Sequence, residues 1–264
     1  MKKIQIVSTI LGSLALAVGT GLAGTAQAQK YADVKATFVV KGKVPDPTPI
    51  AAGNDAFCAT LKIPSENLVV NSSNQGIQNL VIYPDPKTFD PKKADPSVKE
   101  PLVAKPVLDN VQCRFEPHVV VVRAGQELEV KNSDPVGHNA NFSFINNDPL
   151  NKQIPAKGAM SVKVPMAEPA PIPVTCGSHS WMKAHIIVQD HPFIGVSDES
   201  GKLEIKGLPV GKISLKIWQE SGKFKEVKVN GKTLPVKRGA FEIDLKAGVN
   251  DLGTIELDAG DFKP

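Results

Sequence analysis

Thr175-Cys176-Gly177-Ser178-His179-Ser180-Trp181-Met182 places a thiol, an imidazole and a thioether within seven residues. Ile172-Pro173-Val174-Thr175 leads into this stretch, and Ala184-His185-Ile186-Ile187-Val188-Gln189 leads out of it. Both flanks are short, Val/Ile-rich runs and read as strands, so the grouping sits on a tight loop between them. Upstream, Glu127-Leu128-Glu129-Val130-Lys131-Asn132 alternates polar and apolar as a half-buried strand does, then breaks into the loop Asp134-Pro135-Val136-Gly137-His138-Asn139. Two strand-end loops thus offer a thiolate, two imidazoles and a thioether. Each residue alone has a plain reading: a loop histidine, a core methionine, a disulfide cysteine. Together they form the set that suits copper cycling between two oxidation states, whereas zinc prefers four strong ligands. The pattern predicts one type 1 copper ion on His138, Cys176 and His179, with Met182 as a weak axial ligand.

The rest of the chain is read as β throughout. Phe115-Glu116-Pro117-His118 precedes a Val119–Val122 run that reads as a buried strand. Ser161-Val162-Lys163-Val164, Leu203-Glu204-Ile205 and Ile213-Ser214-Leu215-Lys216-Ile217-Trp218 alternate. With 22 prolines and 21 glycines, and no long helical period, the expectation is strands joined by turns. Residues 84–106, rich in Pro, Lys and Asp, read as a surface loop or linker.

Lys2-Lys3, an apolar run from Ile4 to about Ala23, and Ala26-Gln27-Ala28 have the form of a secretory signal peptide cleaved after Ala28. The mature chain is expected to be periplasmic or secreted, without membrane insertion. Losing the two signal-segment lysines from 31 basic side chains leaves 29, against 27 acidic ones. That balance implies no strong field for nucleic acid or membrane. Three cysteines in an oxidising compartment mean one disulfide and one leftover thiol, or no disulfide. The copper reading leaves Cys176 to the metal and pairs Cys58 with Cys113; the alternative is that Cys176 pairs and another thiol is free.

The chain resembles the cupredoxins, the plastocyanin-like and amicyanin-like blue copper proteins. The residues that carry the resemblance are Phe115-x-Pro117 before the Val-rich strand, Gly125-Gln126, Asn132-Ser133-Asp134-x-x-Gly137-His138-Asn139 and Cys176-x-x-His179-x-x-Met182. The resemblance implies a Greek-key β-sandwich and the same four copper ligands. It also implies that Asn139 ties the two ligand loops together, although Gly177 stands where the family often has Ser or Thr. His118 is expected to buttress the site or serve structure. Trp181 is expected to pack over the site, with partner docking beside the edge of His179, the expected electron port, as its other reading. Pro117-His118, Asp190-His191-Pro192-Phe193, Gly207-Leu208-Pro209-Val210-Gly211 and Trp218 resemble a bacterial exported methylamine-utilisation or plastocyanin-like group, which often has Trp-His-Glu where this chain has Trp218-Gln219-Glu220. That group carries a carboxypeptidase regulatory-like, transthyretin-like β-sandwich at its C-terminus.

The expected organisation is therefore all-β. Residues 1–28 form the signal peptide, 29–106 an N-terminal β segment with a Pro-rich linker, 107–190 the copper domain and 191–264 the second sandwich. Gly42-Lys43-Val44 and Leu80-Val81-Ile82-Tyr83 resemble the opening strands that the tail lacks, so residues 31–85 are expected to complete the second sandwich around an inserted cupredoxin. The expected role is a monomeric one-electron carrier between redox partner proteins, not an enzyme. Copper delivery or storage, and a metal-free structural β protein, are the competing readings.

Overall fold

The computed structural model describes residues 30–263 apart from 45, 46, 48 and 54. The expected signal peptide and its cleavage site after Ala28 lie outside the described residues. Among the described residues the regular structure is strand apart from three short turns of 3-10 helix, with turns and irregular segments between. It begins with β1 (Ala32–Lys41), whose alternate residues Val34, Ala36, Phe38 and Val40 are buried. Then come two short strands, β2 (Val69–Val70) and β3 (Ile77–Gln78), and the fully buried β4 (Val81–Pro84).

Nine strands follow: β5 (Val107–Val111), β6 (Arg114–Glu116), β7 (Val119–Arg123), β8 (Glu127–Asn132), β9 (His138–Phe142), β10 (Leu150–Ile154), β11 (Ala159–Lys163), β12 (Ile172–Thr175) and β13 (Lys183–Gln189). They make a sandwich of a five-stranded sheet, β10-β9-β12-β13-β7, and a four-stranded sheet, β11-β8-β5-β6. Leu108, Phe115, Leu128, Val130, Phe142 and Ile186 are fully buried in the core between them.

The last strands are β14 (Gly195–Val196), β15 (Lys202–Leu208), β16 (Gly211–Trp218), β17 (Glu226–Val229), β18 (Lys232–Pro235), β19 (Ala240–Leu245) and β20 (Gly248–Asp258). β1 lies between β15, antiparallel, and β20, parallel. β4 lies between β14 and β16. The N-terminal strands and the tail thus share one core, containing Phe38, Leu80, Ile82, Leu215, Phe241 and Ile255, and the nine-strand unit is inserted between them. Where the turn before β3 meets the turn before β15, a Cβ on Gly201 would come within 2.1 Å of the Phe38 carbonyl oxygen, so only glycine fits.

Residues 31–85 do not belong wholly to the outer sandwich. Ala52, Cys58 and Ile63 are buried in the core of the inserted unit. The segment is pinned there by a Cys58–Cys113 disulfide, which leaves Cys176 as the free and buried cysteine. The Pro-rich stretch after β4 is also more than a surface loop. Ala94 is 2% exposed and packs into the outer core, and the Asp95 amide donates to the Gly207 carbonyl. Proline and charge bias hid this anchor, which needs only one small apolar side chain.

The Val119–Val122 run is explained by two buried faces. Val120 and Val122 point into the inserted core, while Val119 and Val121 meet Val81, Tyr83, Ile187 and Ile194 in a seam between the two sandwiches. A fully buried Val or Ile contributes roughly 1.5–3 kcal/mol, so this six-residue seam fixes the two units against each other.

Candidate metal centre

The loop between β8 and β9 is built on Asn132. Its buried amide nitrogen, with two hydrogens, lies within hydrogen-bond reach of the carbonyls of Val136, Ile154 and Pro155, and its oxygen accepts from the Asp134 amide. This fixes Asp134, whose carboxylate accepts from the Gln112 amide at 2.7 Å and the Cys113 amide at 2.8 Å. Gln112 and Cys113 have φ of 53° and 56° in the two-residue turn between β5 and β6, a conformation usually given to Asn-Gly. Asp134 and the disulfide hold that turn in place. The Asp134 Oδ2 also lies 2.9 Å from Nε2 of His138. With Nε2 as the donor, Nδ1 of His138 carries the lone pair. Burial lowers the His138 pKa against the opposing pull of Asp134, favouring the neutral ring that a metal requires.

The loop between β12 and β13 closes on itself. The Cys176 amide donates to the Met182 carbonyl, and the Met182 amide to the His179 carbonyl. Across the gap, Asn139 Oδ1 accepts from the Gly177 amide at 2.8 Å and the Ser178 amide at 3.3 Å. The Asn139 amide lies 3.4 Å from Cys176 Sγ, and its Nδ2 donates to Asn151. The link between the ligand loops therefore runs through backbone amides and needs no side chain at Gly177.

These two loops bring three donor atoms together. His138 Nδ1 and His179 Nδ1 are 2.9 Å apart, and Cys176 Sγ is 3.7 Å from His179 Nδ1. His138, Cys176 and His179 are 0%, 2% and 5% exposed, and Met182, in the same loop, is 1% exposed. His179 Nε2 lies 3.2 Å from Asp55 Oδ2, so both imidazoles have Nε2 beside a carboxylate and Nδ1 toward the shared point. Hydrogen bonds from the Cys58 and Phe57 amides, that of Cys58 foremost, and the nearby His179 keep the Asp55 carboxyl below its usual range, against the upward push of burial. A soft thiolate with two imidazoles at this spacing fits copper.

The electron-port expectation changes, and Trp181 and His118 take the packing and structural readings. The edge of His179 is not an open port: the 50–63 segment covers it, with Asp55 on Nε2 and Trp181 at 5.1 Å between ring centroids. Trp181 is half-buried, and its Nε1 donates to the Cys113 carbonyl, so it packs on the disulfide turn. His118 does not hold a ligand loop. Its nitrogens face Glu66 and Glu220, and its ring lies 5.9 Å from that of His185. Asp134 could have been read as an i,i+4 partner of His138. Asp55, 124 residues from His179, carries no sequence signal.

No protein-family model matches the chain, and no curated protein matches it in sequence. Solved structures resemble part of it. A copper-containing nitrite reductase, NirK, from Thermus scotoductus SA-01 is 18% identical over 32% of this chain and 22% of its own, at a TM-score of 0.29. This chain thus spans about a fifth of that reductase. A Cu(I) amicyanin variant is 19% identical over 36% of this chain and 98% of its own, at a TM-score of 0.29. A purple cupredoxin from Nitrosopumilus maritimus is 14% identical over 32% of this chain and 99% of its own, at a TM-score of 0.27.

Proposed function

We infer that this is an exported protein in which His138, Cys176, His179 and Met182 would hold one copper ion, which would let it pass single electrons between redox partners. The observation that carries the reading is the buried convergence of two Nδ1 atoms and one thiol sulfur, with each Nε2 facing a carboxylate. Copper supplies the one-electron couple. The chain supplies the rest. Asp134 and Asp55 hold the imidazoles in the binding tautomer, Asn139 locks the two loops, and the buried setting excludes water from the thiolate. No residue is assigned a catalytic role. The likeness of the tail to a carboxypeptidase regulatory-like module rests on its sequence motifs.

The cover over His179 favours copper storage as a second reading, because a buried imidazole edge suits retention better than rapid electron exchange. The visible and EPR spectra of copper-loaded protein, with Cys176→Ala beside it, test both. Intense thiolate-to-copper absorption, lost in Cys176→Ala, with a reversible potential supports the carrier. A colourless protein that keeps Cu(I) against a chelator supports storage. Spectra unchanged by Cys176→Ala would overturn the site.

A further inference from the structure

Five buried side-chain atoms without a hydrogen-bond partner belong to three neighbouring residues outside the copper ligand set: His118 Nδ1, which faces Glu66, and His118 Nε2, His185 Nδ1 and both Glu220 carboxylate oxygens, which face one another. Only eight such atoms occur among the described residues, so most of the unsatisfied polarity is concentrated here. Buried polar groups are ordinarily paired, and several orphans facing one another ask for a missing partner. The side chains of His118, His185 and Glu220 are 5%, 8% and 5% exposed. His118 Nε2 is 3.3 Å from Glu220 Oε1, and His185 Nδ1 is 3.2 Å from Glu220 Oε2, yet neither contact has hydrogen-bond geometry. One donor atom from each residue fits within a mutual span of 4.8 Å. Ligands sharing a tetrahedral ion with bonds of about 2.0–2.1 Å stand about 3.3 Å apart.

We propose that His118, His185 and Glu220 form a second metal site for a divalent ion of borderline softness, Zn(II) or Cu(II), at the junction of the two sandwiches. Two imidazoles and one carboxylate are the donors such ions take, and three protein ligands leave a fourth position for water. His118 also lines a cavity of about 730 Å³ beside Glu66 and Arg114, which gives the ion a route in. The site is rigid on two sides. The His185 amide donates to the His118 carbonyl at 2.8 Å, and His185 lies on β13 in register with β7. Glu220 comes from the turn after β16 in the other sandwich. An ion here would bridge the two units. Lys183 Nζ, 3.8 Å from Glu220 Oε2 and 46% exposed, is free to swing into solvent when the ion arrives. This inference does not depend on the copper reading.

Mature protein carrying Cys176→Ala, which removes the thiolate of the copper site, is titrated with zinc chloride and separately with copper sulfate. It is then compared with the same protein carrying Glu220→Gln or His185→Asn, each checked for native circular dichroism. One ion should bind, raise the melting temperature and, as Co(II), give the visible bands of tetrahedral N/O coordination. Either added substitution should weaken binding at least about tenfold. Unchanged affinity in both variants would overturn the proposal. So would a Glu220→Gln protein that is more stable than its parent while the parent binds no ion, since that marks a strained ion pair.

Discussion

At the residue scale, Asn139 has the widest reach for its size. One side-chain oxygen accepts from two backbone amides of the opposite ligand loop. Removing it leaves those amides without their acceptor, and each lost bond costs about 1 kcal/mol. Asn139→Ala should lower stability by roughly 1–3 kcal/mol in urea unfolding, while Gly177→Ala should change it by less than about 0.5 kcal/mol. A Cβ at Gly177 would meet Asn139 at 3.5 Å, an ordinary contact, and the amide would be kept. His191 makes a different prediction. Burial pushes its pKa down to about 4, against the pull of Asp190. The folded protein keeps the ring neutral, while the unfolded chain protonates near pH 6.5. Stability is therefore lost as pH falls from about 6.5 to about 4 and levels below that. His191→Phe, placed between Phe89 and Phe193, should reduce the fall in urea midpoint over that range without abolishing it, because burial also pushes His185 down to about 4.

At the element scale, the 50–63 segment is a strap. It leaves the outer sandwich after β1, crosses to the inserted unit, and places Asp55 on the His179 ring. Its anchor is the Cys58–Cys113 disulfide, which closes a loop of 55 residues. A loop of that length corresponds to about 4 kcal/mol of lost chain entropy in the unfolded state. Cys58→Ala with Cys113→Ala should cost stability toward that value, and should speed copper loss to a chelator several-fold by loosening the cover. A copper loss rate unchanged from the parent would show that the strap does not guard the site. The strap also marks the limit of what the chain disclosed as a sequence. The loops carrying His138 and Cys176–Met182 were legible because their donors are spaced along flanking strands with clear alternation. Asp55 was not, because its role depends on a crossing made by an irregular segment with no period. Glu220 and His185 were hidden for the same reason: they meet across the junction of two sheets, and neither neighbourhood has a ligand-like spacing.

At the scale of the whole molecule, the connectivity sets an order of assembly. β1 is made first among the described strands, yet its parallel partner β20 is more than two hundred residues away. The nine strands from β5 to β13 have all their partners within Val107–Gln189, apart from the strap. Contacts between distant residues form late because the loop between them must close first. The chain carries two tryptophans, Trp181 in the inserted unit and Trp218 in the outer one. In refolding, Trp218→Phe leaves Trp181 as the reporter and should show the faster recovery, and Trp181→Phe the slower. Equal rates would mean the seam forms first. A chain made N-terminus first would finish its ligand loops while β1 still waits for a mate. The donor cluster would then be formed before the outer sandwich closes, and the pace of synthesis would govern when the site can be filled.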